Sequence, residues 1–336
     1  MGPMLAYLRD HGVTGLLEAI SDEDTVRTVS EMDKTGTLNM RFEASYRIGK
    51  PGDVETAMTT LRRWRSQYGT AHVGAHTVKF FLDGTNEIGT SSLLAPFSNG
   101  AKSVEPAMTK EELAGVLVKL NQADMDMHLH MVGDRAFRTA LDAVEIARKT
   151  VGAAWKQRVT FAHCELIDDA DFARVVDLDV TLNWTPHWSG GYFQGNEPYL
   201  GQERHDNEYR FQPVIAFGGR ITYGSGTVSK QEWDRSDPFF GMQIAHTRRD
   251  IEKGLVSDLI RKPASEMLQL QDLVAGYTRN SAYQLRLDDK AGTLQKGKSA
   301  DFMILDRNLL HTPALEVSKV TPKTVIFEGR VVSGHF

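Results

Sequence analysis

One recurring pattern restricts the fold of this chain more than any single residue does. A short run of β-branched or apolar residues is followed by a longer stretch with helical spacing. The strand candidates are 12–20, 38–48, 76–84, 124–133, 159–166, 179–187 and 220–227. Helix candidates between them are 53–68, 109–122, 134–149 and 168–177. Segment 109–122 opens with Thr109 followed by Glu111 and Glu112, a capped and acidic first turn. Segment 134–149 sets Ala136, Phe137, Ala140, Leu141 and Val144 on one helical stripe. Strands alternating with helices predict parallel βα units. Two further helical stretches follow, 238–253 and 263–285. Seven strands suit an open doubly wound sheet, whereas a closed barrel of eight βα units needs one more. Nothing before Gly12 supplies it.

The tail changes character. Residues 292–336 read as short strands with turns, and Glu328-Gly329-Arg330 between two apolar runs is a hairpin signal. The reading is therefore a barrel-like unit over residues 1–285 and a small β appendage over 286–336. With 336 residues, 41% of them hydrophobic and 25% charged, the chain can bury a core without covalent staples. A net charge of -5 gives no support to a nucleic-acid surface. The single cysteine, Cys164, excludes an internal disulfide and an all-cysteine metal cluster. No apolar run approaches the ~18 residues of a membrane span, and the first residues lack the pattern of a signal peptide. A cytoplasmic location is the expectation. The segment Gly292 to Ser299 matches the phosphate-loop pattern G-x-x-x-x-G-K-[ST]. A strand pattern rather than a helix follows it, so a turn between two strands is the better reading.

The richest chemistry lies in the run DMDMHLHMVGDR from Asp124 to Arg135. Side chains alternate along a strand, so Met125, Met127, Leu129 and Met131 share one face, and Asp124, Asp126, His128 and His130 share the other. A parallel sheet covered on both faces buries such a polar face at a cost, so that face should serve a site. Two imidazoles two residues apart can converge on a metal. The next strand, Val159–Glu165, brings His163 near its end, about one βα unit further on. Strand C-terminal ends are where barrels and open α/β sheets place their sites. Lys79 and Asp83 lie on one face of an earlier strand, and a buried lysine needs a partner. Alternation turns Cys164 away from His163, as a buried structural thiol. His187 ends a strand among Trp184, Trp188 and Tyr192, a candidate substrate wall. The order Gly224-Ser225-Gly226 is not the G-x-S-x-G elbow of a serine hydrolase.

Taken together, GVTGLLEA (12–19), VKFFLDG (78–84), HLHMVGDRA (128–136), VTFAHCELI (159–167), FGGRITYGSG (217–226) and the closing GTLQKGKSADFMILD resemble amidohydrolase family 3. The resemblance implies a (β/α)8 barrel with a small β-sandwich, here a TIM-like barrel missing its first strand. It implies a metal-dependent hydrolase acting on a non-peptide carbon–nitrogen bond of a small amide. By position, Lys79 looks like a lysine that bridges metals when carbamylated, and His130 and His163 look like metal histidines. The implied cofactor is a divalent metal, zinc by preference. His128, His187 and Trp188 fall near the substrate. Two departures accompany the match. The family's first strand ends in a His-x-His pair that does not occur here, and its last strand ends in GSD, where this chain has Gly226. Asp83 and Asp126 are then the weak candidates for a replacement proton acceptor. The rival expectation is a degenerate or truncated barrel that binds a small molecule or a partner. A missing strand also leaves a sheet edge for a second copy of the chain, or the N-terminal segment around Met1–Asp10, to cover.

Overall fold

The computed structural model describes residues 2–190, 196–227, 229–251 and 259–335. Seven parallel strands pair strictly in chain order: β1 (Gly15–Glu18), β2 (Arg41–Arg47), β3 (Val73–Phe81), β4 (Asp126–Met131), β5 (Val159–His163), β6 (Thr181–Trp184) and β7 (Arg220–Tyr223). Every expected strand is present; six are shorter than expected, and β3 keeps nine residues but starts and ends three residues earlier, which leaves Asp83 and Gly84 beyond its end. Asp124 stands outside β4, exposed, with φ 57° and an ion pair to Lys156 at 3.2 Å. A doubly wound sheet would reverse its strand order at a switch point. This sheet does not, so it is a curled half-barrel, an incomplete TIM-like barrel.

Helices α1 (Gly2–Asp10), α2 (Glu23–Lys34), α3 (Val54–Tyr68), α4 (Lys110–Gln122), α5 (Asp134–Val151) and α6 (Phe172–Asp177) punctuate the strands. The capping box expected at α4 forms: Glu112 N donates to Thr109 Oγ1 at 3.2 Å, and Thr109 N donates to Glu112 Oε2 at 2.9 Å. On α5 the anticipated stripe of Ala136, Phe137, Ala140, Leu141 and Val144 is buried, with Phe137 edge-on to Phe161 of β5 at 5.4 Å. Each large side chain buried this way contributes on the order of 1.5–3 kcal/mol. Short helices α7 (Glu197–Asp206) and α8 (Gln212–Ala216) precede β7, and α9 (Pro238–Thr247) follows it.

The helix expected over 263–285 is broken into α10 (Leu270–Ala275), a π-helical turn (Gly276–Asn280) and α11 (Ser281–Gln284). Packing explains the break. Gly276 lies so close to the Tyr223 ring that a Cβ would sit 2.1 Å from Cε2. Asn280 Nδ2 donates to the Ile221 carbonyl at 2.9 Å, and Thr222 Oγ1 donates to Gln284 Oε1 at 2.5 Å. Leu285 and Leu287 then reach Gly15 on β1. One irregular segment therefore touches both the first and the last strand of the open sheet. It also crosses the strands' N-terminal end, where Arg286 bonds Asp126 through Nε (2.6 Å) and a terminal nitrogen (2.7 Å) and Asp288 pairs with Arg158 at 2.7 Å.

The tail forms an antiparallel sheet of β8 (Phe302–Leu305), β9 (Pro322–Phe327) and β10 (Arg330–Gly334), with the expected hairpin at Glu328-Gly329. Buried Arg41 ties it to the half-barrel through Asp301, Glu328 (3.0 Å) and Ser299 Oγ (3.2 Å). The segment Gly292–Ser299 is a loop leading into β8 with no strand before it, so the expected turn between two strands is half right. Lys298 Nζ donates to the carbonyls of Asp288 (2.6 Å) and Ala291 (3.4 Å) and to Thr293 Oγ1 (2.8 Å), which engages its amine within its own loop. No described helix is long and apolar enough to cross a membrane.

Candidate active site

The register of β3 on β4 pairs Lys79 with His128 and Phe81 with His130, so these four side chains share the inner face near the strands' C-terminal ends. Lys79 is 2% exposed, and its Nζ donates to His128 Nδ1 at 2.9 Å. Burial pushes the Lys79 amine down to about 7, with the charge of Arg47 acting in the same direction. Burial also holds the His128 imidazole well below its usual range, helped by Lys79, so the ring accepts from the amine as a neutral base.

His130 is the most telling group. Its Nε2 donates to the Gly84 carbonyl at 2.9 Å, while Nδ1 is buried with no hydrogen-bond partner among the described residues. Burial pushes its pKa down to about 4, so the ring is neutral and Nδ1 carries a bare lone pair. Such an orphan in a protein interior costs about 1–3 kcal/mol and needs a reason. The His163 ring lies 4.5 Å from the His130 ring, and Trp188 stacks on the other imidazole at 5.0 Å and 21°.

Alternation alone would not put His163 there. In register it pairs with Met131, whose side chain faces the helices, while Ala162 pairs with inward-facing His130. The backbone at His163 and Cys164 is left-handed, with φ 75° and 49°, and this turns the imidazole into the site and the thiol into the apolar core. Strain of this kind, at a residue other than glycine, concentrates at functional sites. Cys164 is buried, and burial pushes its thiol pKa up, as an inert structural cysteine requires.

The remaining expected residues divide. Asp83 lies 3.9 Å from His130, but its oxygens accept from the backbone N–H groups of Ser92, Val132 and Gly133, each at 2.9 Å. It anchors two loops together, and burial pushes its carboxyl up to about 7. Asp126 sits at the opposite end of the barrel, held by Arg286, and is not brought to the cluster. His187 packs edge-on to Trp188 at 5.9 Å and so joins the cluster only through that indole; burial pushes it down to about 3. Tyr192 lies outside the described residues. Gly226 has φ 60°, and a Cβ there would meet Thr185 Cγ2 at 3.2 Å and Trp188 Cζ2 at 3.3 Å.

Three features escaped the sequence reading. Arg47 ends β2 with its guanidinium 4.7 Å from the Phe81 ring centroid. Asn183 and Thr222 continue the polar inner row, joined at 2.9 Å. Glu165 and Glu208 are buried and share Asn86, which donates to them at 2.9 and 3.0 Å. The inward period of RFEASYR (41–47) could have revealed the first of these.

Among the described residues, no three of His, Cys, Asp and Glu converge to hold a metal ion by themselves. A cation here would need Lys79 beside His130 and His163. The bare Nδ1 of His130, neutral imidazoles and a neutral-leaning amine fit that need, and neutral nitrogen donors suit zinc.

Comparison with known proteins agrees with the geometry. The amidohydrolase family profile, family 3, matches residues 3–333. The exoenzymes regulatory protein AepA of Pectobacterium carotovorum subsp. carotovorum is 23% identical over 226 residues, covering 66% of this chain and 47% of that protein. The protein YtcJ of Bacillus subtilis (strain 168) is 22% identical over 256 residues, covering 76% of this chain and 46% of that protein. The crystal structure of an uncharacterized metal-dependent hydrolase from Pyrococcus horikoshii OT3 superposes with a TM-score of 0.73 at 25% identity, covering 92% of this chain and 59% of that one. The chain thus spans about half the length of these curated relatives. Strand order, polar inner face and family match converge, and the chain belongs to amidohydrolase family 3.

Proposed function

We propose that this chain carries the metal-binding half of a hydrolase that cleaves a non-peptide carbon–nitrogen bond in a small amide. The observation that carries the reading is the buried Nδ1 of His130, without a partner among the described residues, beside His163 and a lysine whose pKa burial brings to about 7. Lys79, His130 and His163 would hold the divalent metal, zinc by donor type. A neutral Lys79 amine can add CO2, forming an N–C bond and releasing one proton, and the carbamate supplies an oxygen donor. Bound there, the metal would polarise an amide carbonyl and acidify a water. His128 holds Lys79 in place through its Nδ1, and Gly84 fixes the ring of His130. Trp188 and His187 would line the substrate side. Asp83 is the carboxyl nearest His130; burial raises its basicity, but its oxygens are already committed to three backbone N–H groups, which leaves it poorly placed to take a proton.

The test is metal content by mass spectrometry for the wild type, Lys79→Ala and His163→Ala. Near-stoichiometric divalent metal in the wild type and its loss in both variants is the expected result. No metal after reconstitution with zinc and bicarbonate would overturn the reading. One observation favours a second reading, a binding barrel without turnover. The space beside Gly226 is already filled by Thr185 and Trp188. Metal retained without hydrolysis of any amide tested would support it.

A further inference from the structure

We propose that the irregular segment after α9 controls Lys79 from across the half-barrel: Gln284, Thr222 and Asn183 form a one-way hydrogen-bond chain that fixes the tautomer of His128, and these three are positioning residues for the lysine. The inference deepens the proposed function and rests on Lys79 belonging to that site.

Five side chains from five elements meet across the interior. Lys79 Nζ donates to His128 Nδ1 at 2.9 Å. The His128 ring also hydrogen-bonds the Asn183 side chain, and with Nδ1 taken this bond falls to Nε2. Register explains the reach. Ala162 stands between His130 and Asn183 on the inner face of β5, and a methyl is too small to separate β4 from β6. A Cβ at Gly224 would lie 3.1 Å from Asn183 Oδ1, so the glycine leaves that oxygen its place. Asn183 Nδ2 then donates to Thr222 Oγ1 at 2.9 Å, and Thr222 Oγ1 donates to Gln284 Oε1 at 2.5 Å. The other acceptor near Thr222, the Leu182 carbonyl, is at 3.4 Å and too far to compete.

The two ends give the chain its direction. An amide oxygen only accepts, so Gln284 Oε1 takes the Thr222 hydrogen. The hydroxyl lone pairs then face Asn183 Nδ2, which turns Asn183 Oδ1 to His128. That oxygen calls for an Nε2–H. A neutral imidazole has one N–H, so Nδ1 stays bare and accepts from Lys79. Reversing one bond alone would set donor against donor or acceptor against acceptor in a buried place, which folded proteins avoid. The consequence is chemical. In the other tautomer His128 Nδ1–H would donate to the lysine nitrogen and occupy its lone pair. In this one the lone pair is free to add CO2, and the single N–H of the resulting carbamate keeps the same acceptor. The segment that touches both free strands thus also decides whether Lys79 is a nucleophile.

The test labels the protein with 15N-histidine and reads the imidazole nitrogens by long-range 1H–15N correlation at pH 8, where the Lys79 amine is neutral and able to donate or accept. The His128 signals are identified by their loss in His128→Gln. The wild type is expected to carry its proton on Nε2. Thr222→Val and Gln284→Leu should raise the share of the Nδ1–H form at least ~5-fold, and Thr222→Ser should keep the wild-type pattern. Gln284 is only half-buried, so its variant reports even where Thr222→Val fails to fold. With 13C-bicarbonate and no metal, the Lys79 carbamate signal should fall in the same two variants and recover in Thr222→Ser. A wild-type proton on Nδ1, the mark of a chain running the other way, would overturn the proposal. So would an unchanged tautomer in both variants, or a tautomer shift with an undiminished carbamate signal. A protein that takes up neither metal nor CO2 in any form, yet shows the tautomer shift, would overturn the proposed hydrolase and leave the positioning chain standing.

Discussion

A single backbone angle decides what His163 is. With an ordinary strand conformation its imidazole would face the helices beside Met131; at φ 75° it meets His130 instead. Gly226 illustrates the same principle at the opposite wall. A left-handed backbone costs an alanine about 1–2 kcal/mol relative to glycine. Its Cβ would also press on Thr185 Cγ2 at 3.2 Å. Gly226→Ala is therefore expected to lower stability by about 1–2 kcal/mol in denaturant melts. Thr185→Ser removes the pressing methyl, so the double variant should lose less than the sum of the two single losses. Strict additivity would show that the crowding seen at Thr185 has no energetic weight.

At the scale of elements, the ends of helices carry testable electrostatics. Asp237 caps α9, its Oδ1 accepting from Phe239 N at 2.8 Å, and burial pushes its carboxyl up to about 6, with His11 4.0 Å away. In the unfolded chain the same carboxyl titrates near 3.8. The native state thus holds the proton more tightly, and stability is lost as pH rises from about 4 to about 6, then levels off. The full difference corresponds to roughly 3 kcal/mol. Asparagine keeps the cap and removes the charge. Asp237→Asn should match the wild type in melting temperature at pH 4 and exceed it at pH 7. A variant less stable than wild type at pH 7 would contradict this. Most strands and helices were legible because their periods differ, 2 against 3.6 residues. The segment after α9 was not: Gly276 and Asn280 serve the Tyr223 ring and the Ile221 carbonyl of β7, contacts that no local spacing encodes.

At the scale of the molecule, Arg41 joins the half-barrel to the C-terminal sheet. It is 6% exposed and bonds Asp301, Glu328 and Ser299 across more than 250 residues of sequence. Removing one partner of a buried ion pair typically costs about 3–5 kcal/mol because the other charge is left without compensation. Arg41→Met is expected to destabilise the chain by that amount and to raise hydrogen exchange across β8–β10 before the central strands. Uniform exchange throughout would mean the two sheets unfold as one unit regardless of the clamp.

The sequence by itself determined the βα alternation, the seven strands, the polar inner face of β4 and the glycine at 226, because periodicity and residue type are local properties. It also marked Lys79, His130 and His163 as a set, through their positions near successive strand ends. Only the tertiary structure decided which end of the barrel each acid occupies. Asp126 and Asp83 looked equivalent in sequence, yet Arg286 holds one at the far end and three backbone amides bind the other. It also decided that Arg47 and Lys79 meet around one phenylalanine, and that the segment after α9 reaches both free strands. Those outcomes depend on register, curvature and contacts between residues far apart in the chain, none of which a local pattern specifies.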